Sequence, residues 1–153
     1  MERVYISIIE VFGETWKLTA SDTGILSVYP SNEAIIPCEN EISRWAAREL
    51  QEYLVHIRTE FSVPLDLRGT TFQMRVWQAL RQVPYGSIKT YGQIAADIGS
   101  PKAVRAVGQA IGRNPCLILV PCHRIIGKSG ALTGFSAGME RKKRLLDLEG
   151  IPY

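Results

Sequence analysis

A cysteine followed directly by a histidine, in Pro121-Cys122-His123-Arg124, is the stretch of this 153-residue chain best equipped for chemistry. A thiolate is a strong nucleophile, but an unperturbed thiol, with a pKa of about 8.5, is mostly protonated at neutral pH. A neighbouring imidazole can take that proton. The apolar runs on either side, Leu117–Val120 and Ile125–Ile126, read as buried strands, with the polar four at the end of the first. A cysteine alone there would read as core packing. His123 and Arg124 argue otherwise, because a core needs neither and both are costly when unpaired. Adjacent side chains on a strand point to opposite faces. Either the segment leaves strand geometry at Cys122, or His123 reaches the thiol through a water. Glu149 is a second irregular residue. It closes a helix predicted over Met139–Leu148, where a carboxylate opposes the helix dipole at a cost of about 0.3–1 kcal/mol. A compensating partner is expected, and a histidine is one option.

The elements that position these residues are well punctuated. Thr70 and Gln73 have capping-box spacing, followed by the apolar stripe Phe72, Val76, Trp77 and Leu80 of a helix ending before Pro84. Pro84-Tyr85-Gly86 is a turn. Thr90 and Gln93 form a second box, opening a short helix that Gly99 stops. Ser100-Pro101 reads as an N-cap with proline at the first helical position. Two helices joined by about three residues that include glycine give a helix-turn-helix. On the second helix, Lys102–Arg113, a wheel projection puts Ala103, Val104, Ala106, Val107, Ala110 and Ile111 on a buried arc. Lys102, Arg105, Gln109 and Arg113 lie opposite, flanked by Gly108 and Gly112. Each glycine costs about 1 kcal/mol in a helix. Removing bulk beside a row of cations suits close approach to a large ligand, and DNA fits that shape. The bland alternative is an ordinary solvated face. Arg141-Lys142-Lys143-Arg144 reads as another solvated face, with phosphate contact second.

The first half carries no comparable constellation. Val4–Ile9, Thr15–Ala20 and Gly24–Tyr29 suggest an antiparallel meander, and Ile42 to Ile57 recur at helical spacing over about 41–57. Cys38 reads as incidental. Residues 1–69 hold 6 Lys/Arg against 11 Asp/Glu, whereas residues 70–153 hold 12 against 4. The charge changes sign near Arg68-Gly69, so we expect an N-terminal α/β domain over 1–69 and a second, basic domain carrying Cys122 over 70–153. The cysteine-bearing half is the basic one, which favours an anionic partner, nucleic acid first. Three cysteines, no Cys-x-x-Cys pair and only His56 and His123 argue against a disulfide framework and against zinc. No membrane-length apolar run and no signal-like start point to an intracellular protein.

Taken in order, the residues from about Phe72 to Gly150 resemble the O6-alkylguanine-DNA alkyltransferases, proteins that repair alkylated guanine directly. The resemblance rests on Phe72…Trp77, Pro84-Tyr85-Gly86, Thr90-Tyr91, Pro101-Lys102-Ala103-Val104-Arg105-Ala106-Val107-Gly108 and Asn114-Pro115. It continues through Pro121-Cys122-His123-Arg124, Gly134-Phe135-Ser136-Ala137-Gly138 and Leu148-Glu149-Gly150. The resemblance implies an α+β fold, with a small N-terminal α/β domain and a mostly helical, winged-helix-like second domain. It also implies a single-turnover monomer, cytoplasmic or, in a eukaryote, nuclear, that acts on double-stranded DNA without cofactor, metal or membrane. Cys122 would accept the alkyl group from O6-alkylguanine, with O4-alkylthymine left open as a second substrate. His123 and Glu149 would form a relay with a water that deprotonates the thiol. Tyr91 would bond the target nucleotide and help protonate the leaving guanine. Arg105 would fill the base stack in place of the flipped nucleotide, and Lys102, Ala103 and Ala106 would lie along the minor groove. Asn114 would tie the recognition helix to the active segment. Val120, Phe135 and Ser136 would bound the base pocket.

The chemistry supports these residue types independently. In-line displacement at carbon needs a thiolate and therefore a base, and the leaving purine needs a proton. An atom inside duplex DNA is reached by flipping. There are departures. Phe135 stands where many members have tyrosine, and no equivalent of the zinc ligands of some members occurs in the N-terminal half. Three other readings compete. A lesion-binding relative without chemistry replaces the nucleophile, whereas Cys122 is present. A helix-turn-helix regulator leaves the order of Cys122, His123 and Glu149 unexplained. A Cys-His hydrolase needs an oxyanion hole and does not explain the helix face.

Overall fold

The computed structural model describes residues 1–130, 132 and 135–153. They fall into two compact units, Met1–Arg68 with Pro115–Leu117, and Gly69–Asn114 with Ile118–Tyr153. Pro115–Leu117 therefore goes with the first unit, where a single boundary at Arg68-Gly69 leaves it with the second.

In the first unit, β1 (Tyr5–Val11), β2 (Glu14–Ala20) and β3 (Ile25–Pro30) form an antiparallel sheet in the order β1-β2-β3, the meander that the turn spacing predicts. Ile9, Val11, Trp16, Leu18 and Ala20 alternate inward and are buried, as period-2 patterning requires. Helix α1 (Glu41–Leu54) packs on this sheet through Ala46, Leu50 and Tyr53. Its start is a reciprocal capping box, with Asn40 accepting from Ser43 N–H and Ser43 closing back on Asn40. The predicted helix was three residues longer. His56 takes a left-handed conformation at φ 65°, and Ile57 N–H bonds Glu52 O while His56 N–H bonds Tyr53 O. That is a Schellman ending, so Ile57 leaves the apolar stripe and is exposed. Cys116 and Leu117 lie beside β3, where Val28 N–H donates to Pro115 O and Leu117 N–H to Val28 O.

In the second unit, α2 (Thr71–Arg81), α3 (Tyr91–Asp97) and α4 (Val104–Gly112) pack on one another through Val76, Trp77, Leu80, Ile94, Ala95, Val107 and Ala110. Both predicted capping boxes are present, at Thr70/Gln73 and Thr90/Gln93. The Trp77 indole donates to Ala110 O at 2.9 Å, tying α2 to α4. Helix α4 differs from expectation in two ways. Ser100-Pro101 does not cap it: these residues form a turn closed by Ala103 N–H to Ser100 O, so the helix begins at Val104 without a side-chain cap. The helix-turn-helix connection is correspondingly six residues, Ile98–Ala103. Also, Val104 and Ala106, assigned to the buried arc, are exposed, while Ala103 is half-buried. Two short strands, β4 (Lys89–Thr90) and β5 (Ile125–Ile126), pair in parallel. Helix α5 (Met139–Leu148) ends in a second Schellman motif at Gly150, φ 72°. No helix among the described residues is long and apolar enough to span a membrane.

Candidate functional site: a buried thiol, imidazole and carboxylate

The run Leu117–Val120 is not a strand. Ile118 takes a left-handed φ of 72°, an outlier for a β-branched residue. Pro121 then adopts φ −79°, ψ 64°, and Cys122 N–H bonds Val120 O at 2.8 Å. This is an inverse γ-turn, for which the proline ring presets φ. Cys122–Arg124 follow as one 3-10 turn, closed by Arg124 N–H to Pro121 O. The segment thus leaves strand geometry before Cys122, so strand alternation does not govern the thiol and imidazole, and a water link between them is compatible with the turn. Side chains on a 3-10 turn sit a third of a turn apart, so Cys122 and His123 need not face opposite ways.

Cys122 is 3% exposed. Burial pushes its thiol up to about 11, against the pull of a hydrogen bond from Asn114 and the charge of Lys142. Asn114 follows α4, is fully buried, and also donates Nδ2–H to Val120 O at 2.8 Å. It therefore fixes both sides of the γ-turn.

His123 is fully buried, and its Nε2 lies 2.6 Å from Glu149 Oε2. Burial holds the imidazole below its ordinary range, and the charges of Arg124 and Lys142 add to this. The hydrogen bond and charge of Glu149 work in the opposite direction. A neutral imidazole that donates Nε2–H to the carboxylate has its lone pair on Nδ1. That Nδ1 is buried with no hydrogen-bond partner among the described residues. The site therefore offers a protonated thiol, followed in sequence by a neutral base whose acceptor atom has no partner among the described residues.

Glu149 caps α5 and is 7% exposed. Besides His123, it accepts Arg124 Nε–H at 2.8 Å, an Arg124 Nη2 hydrogen at 2.9 Å and Gly86 N–H at 3.0 Å. The two Arg124 bonds form a bidentate fork, which fixes the plane of the carboxylate. These donors answer the dipole opposition expected at this position. Pro84-Tyr85-Gly86 is the clasp. Ser87 N–H returns to Pro84 O, Gly86 sits at φ 78° as a type II turn demands, and its N–H faces the carboxylate. The Tyr85 ring lies 5.7 Å from the Arg124 guanidinium, whose Nη1 donates to Val83 O.

Lys142 overturns the solvated reading of its charge run. It is 1% exposed, and its ammonium donates to Ile125 O at 2.6 Å. Burial lowers its pKa, and its interaction with Cys122 raises it. Spacing carried the signal, since Lys142, Leu145, Leu146 and Glu149 fall at i, i+3, i+4 and i+7 on one face of α5. Arg124 and Gly86, quoted in motifs without a role, were missed because their shared partner lies distant in sequence.

The remaining expected residues are disposed as follows. Tyr91 opens α3, half-buried, and a methyl group at Gly108 would touch its ring at 3.8 Å. Lys102, Arg105 and Ala106 are exposed, and space beside Gly112 is open. Val120 is buried at the γ-turn, Phe135 is half-buried and Ser136 exposed. Thr133 and Gly134 of the small-residue loop lie outside the described residues. Among the described residues no group of three or more His, Cys, Asp or Glu is placed to hold a metal.

Residues 71–151 match the family described as "6-O-methylguanine DNA methyltransferase, DNA binding domain". A methylated-DNA–protein-cysteine methyltransferase of Mycobacterium tuberculosis is 57% identical over 104 residues, which cover 68% of this chain and 63% of that protein. The matched stretch thus spans less than two thirds of that relative. The crystal structure of M. tuberculosis O6-methylguanine methyltransferase superposes with a TM-score of 0.86 at 40% identity, covering 96% of this chain and 93% of that one. A second M. tuberculosis structure, solved in complex with DNA, gives 0.85 at 42% identity, over 93% and 90% of the two chains. With its thiol, imidazole and carboxylate all inside the matched stretch, the chain belongs to the 6-O-methylguanine DNA methyltransferase family.

Proposed function

We propose that this protein reverses alkylation damage in duplex DNA by moving the alkyl group from O6 of guanine to Sγ of Cys122, once per molecule. The observation that carries the reading is a buried imidazole, next in sequence to a buried thiol, whose Nε2 lies 2.6 Å from Glu149 and whose Nδ1 has no partner among the described residues. The thiol proton passes to Nδ1 through a bridging water, and Glu149, clamped by Arg124 and Gly86, stabilises the imidazolium that forms. Lys142 stabilises the thiolate. Sulfur then attacks the alkyl carbon, the carbon–oxygen bond breaks, and its electron pair leaves on the guanine. Tyr91 supplies the proton that neutralises the purine. The thioether has no route back, so the protein is consumed.

Delivery falls to α4. Lys102, Ala103 and Ala106 lie along the minor groove, and Arg105 fills the stack vacated by the flipped nucleotide, which lowers the cost of unstacking. Asn114 joins α4 to the γ-turn, so the reading helix and the reacting segment move as one piece. Val120, Phe135 and Ser136 border the base. O4-alkylthymine is a second candidate substrate for the same pocket.

Incubation with duplex DNA carrying O6-methylguanine is expected to add one methyl to Cys122, with no turnover beyond one equivalent. Intact-protein mass spectrometry reads this, and Cys122→Ser should show no gain. Unchanged mass with tight lesion binding would replace this reading with a lesion-binding one. Arg105→Ala is expected to slow repair in duplex DNA at least tenfold more than it slows reaction with a free alkylguanine base. Equal losses would remove the flipping role.

A further inference from the structure

We propose that Tyr85 is a positioning residue for alkyl transfer: its ring holds the Arg124–Glu149 ion pair in the geometry that sets the proton affinity of His123. This rests on the reading of His123 as the base that takes the thiol proton.

Both partners of the ion pair meet the same turn. Tyr85 is the second residue of the turn that Ser87 N–H closes on Pro84 O. Val83 O, just before that turn, accepts from Arg124 Nη1 at 2.7 Å, and Gly86 N–H donates to Glu149 Oε1 at 3.0 Å. The main chain on either side of Tyr85 thus fastens one partner each. The side chain touches both halves as well. The Arg124 guanidinium stands over the Tyr85 ring, 5.7 Å from its centroid, and the hydroxyl donates to Leu148 O, next to Glu149, at 3.4 Å. Nε and both Nη atoms of Arg124 are engaged by Glu149 and Val83. The aromatic face adds an attraction to the cation that none of these bonds duplicates.

The ion pair in turn acts on His123. Burial, Arg124 and Lys142 lower the proton affinity of the imidazole, and the bond and charge of Glu149 raise it. A loosened Arg124 would leave the carboxylate less neutralised and admit water, and both changes raise that affinity. An imidazole that is already charged takes no proton from the thiol. Tyr85 does not act by titrating itself. Burial and the charge of Glu149 raise its phenol above the ordinary value, so the ring stays neutral.

The test is an NMR pH titration of the His123 ring signals without substrate. The one other histidine, His56, lies in the first unit and serves as an internal reference. Tyr85→Leu removes the ring, whereas Tyr85→Phe removes only the hydroxyl, whose contact is long. In Tyr85→Leu, His123 should titrate higher by about half a pH unit or more. Single-turnover transfer to Cys122 near neutral pH should slow about tenfold. Tyr85→Phe should match the wild type in both, and His56 should titrate alike in all three. An unmoved His123 in folded Tyr85→Leu, or the full shift already in Tyr85→Phe, would overturn the assignment. Should Tyr85→Leu fail to fold, pentafluorophenylalanine at position 85 keeps the ring's shape and reverses its charge distribution. It should give the same upward shift, and a wild-type titration there would overturn the proposal. A wild type that takes no methyl overturns the transfer reading and the positioning role with it. A wild type that takes the methyl while His123 stays unmoved in Tyr85→Leu overturns the role of Tyr85 alone.

Discussion

The two units each bury one glutamate against one arginine, yet only one of these carboxylates also holds an imidazole. Glu49, on α1, is fully buried and accepts from Ser62 N–H, Ser62 Oγ–H and Val63 N–H, with Arg58 Nη1 at 3.1 Å. Glu149 accepts from Gly86 N–H and twice from Arg124. The two carboxylates are equally well served by backbone and guanidinium donors. The difference is His123. Every donor on Glu49 is a group that keeps its proton, so the cluster only fastens the 58–63 segment to α1. The imidazole on Glu149 can change its proton count, and its far nitrogen is uncommitted. A buried ion pair is thus weak evidence of function, and an unspent polar atom behind it is stronger.

Substitutions at the two glutamates should break this symmetry most sharply. Glu149→Gln is expected to slow alkyl transfer by about a hundredfold or more in single-turnover assays, within the range of a lost acid–base partner. Glu49→Gln should leave the rate per folded molecule within about twofold and lower stability by about 1–3 kcal/mol, read by denaturant melts. Comparable rate losses would end the distinction.

The pH dependences should separate the pairs further. With the imidazole held below its ordinary value of 6.5 and the thiol pushed up to about 11, thiol and base are both neutral between those limits. Proton transfer between them changes no net charge, so the transfer rate should be flat from about pH 7 to 9 and fall only below about 6.5. A tenfold rise per unit through that range would mean that an independently titrating thiol governs the rate. For Glu49, burial raises the carboxyl pKa, but the bonds from Ser62 and Val63 outweigh it and leave a net lowering. Its contribution to stability is therefore full above the unfolded value of about 4.3 and is lost as pH falls from there through the folded value. The melting difference between wild type and Glu49→Gln should shrink over that acid range.

The smallest effect concerns α4. Space beside Gly112 is open, so Gly112→Ala should stabilise the protein by about 1 kcal/mol. If bulk was removed there for DNA, the same change should weaken duplex binding, measured by titration. A gain in stability with undiminished binding would return that face to ordinary solvation.

What the sequence made legible was local. Capping boxes, glycine stops and period-2 strands are written within five residues, and the structure contains them. The order of Cys122, His123 and Glu149 was equally visible. Three features were hidden because a distant partner decides them. Leu117–Val120 reads as a strand until Asn114 Nδ2–H and Cys122 N–H claim Val120 O, closing a γ-turn at Pro121. Val104 and Ala106 read as core on a wheel, which marks apolar residues without knowing which face is covered. Lys142 hides in a run of four cations, and the placement of Ile125 O gives its ammonium a buried partner.

The burial of Cys122 has a consequence for the life of the molecule before any encounter. If Cys122 reacts once per molecule, as proposed, each chance reaction with peroxide or a stray electrophile wastes a molecule, and such reactions follow thiolate content and access. Cys38 is exposed, whereas Cys122 is closed off and held in the protonated form. Chance oxidants and electrophiles therefore meet Cys38 before Cys122. The cost of that dormancy is a slow intrinsic thiol, which the proton path to His123 relieves in the proposed reaction.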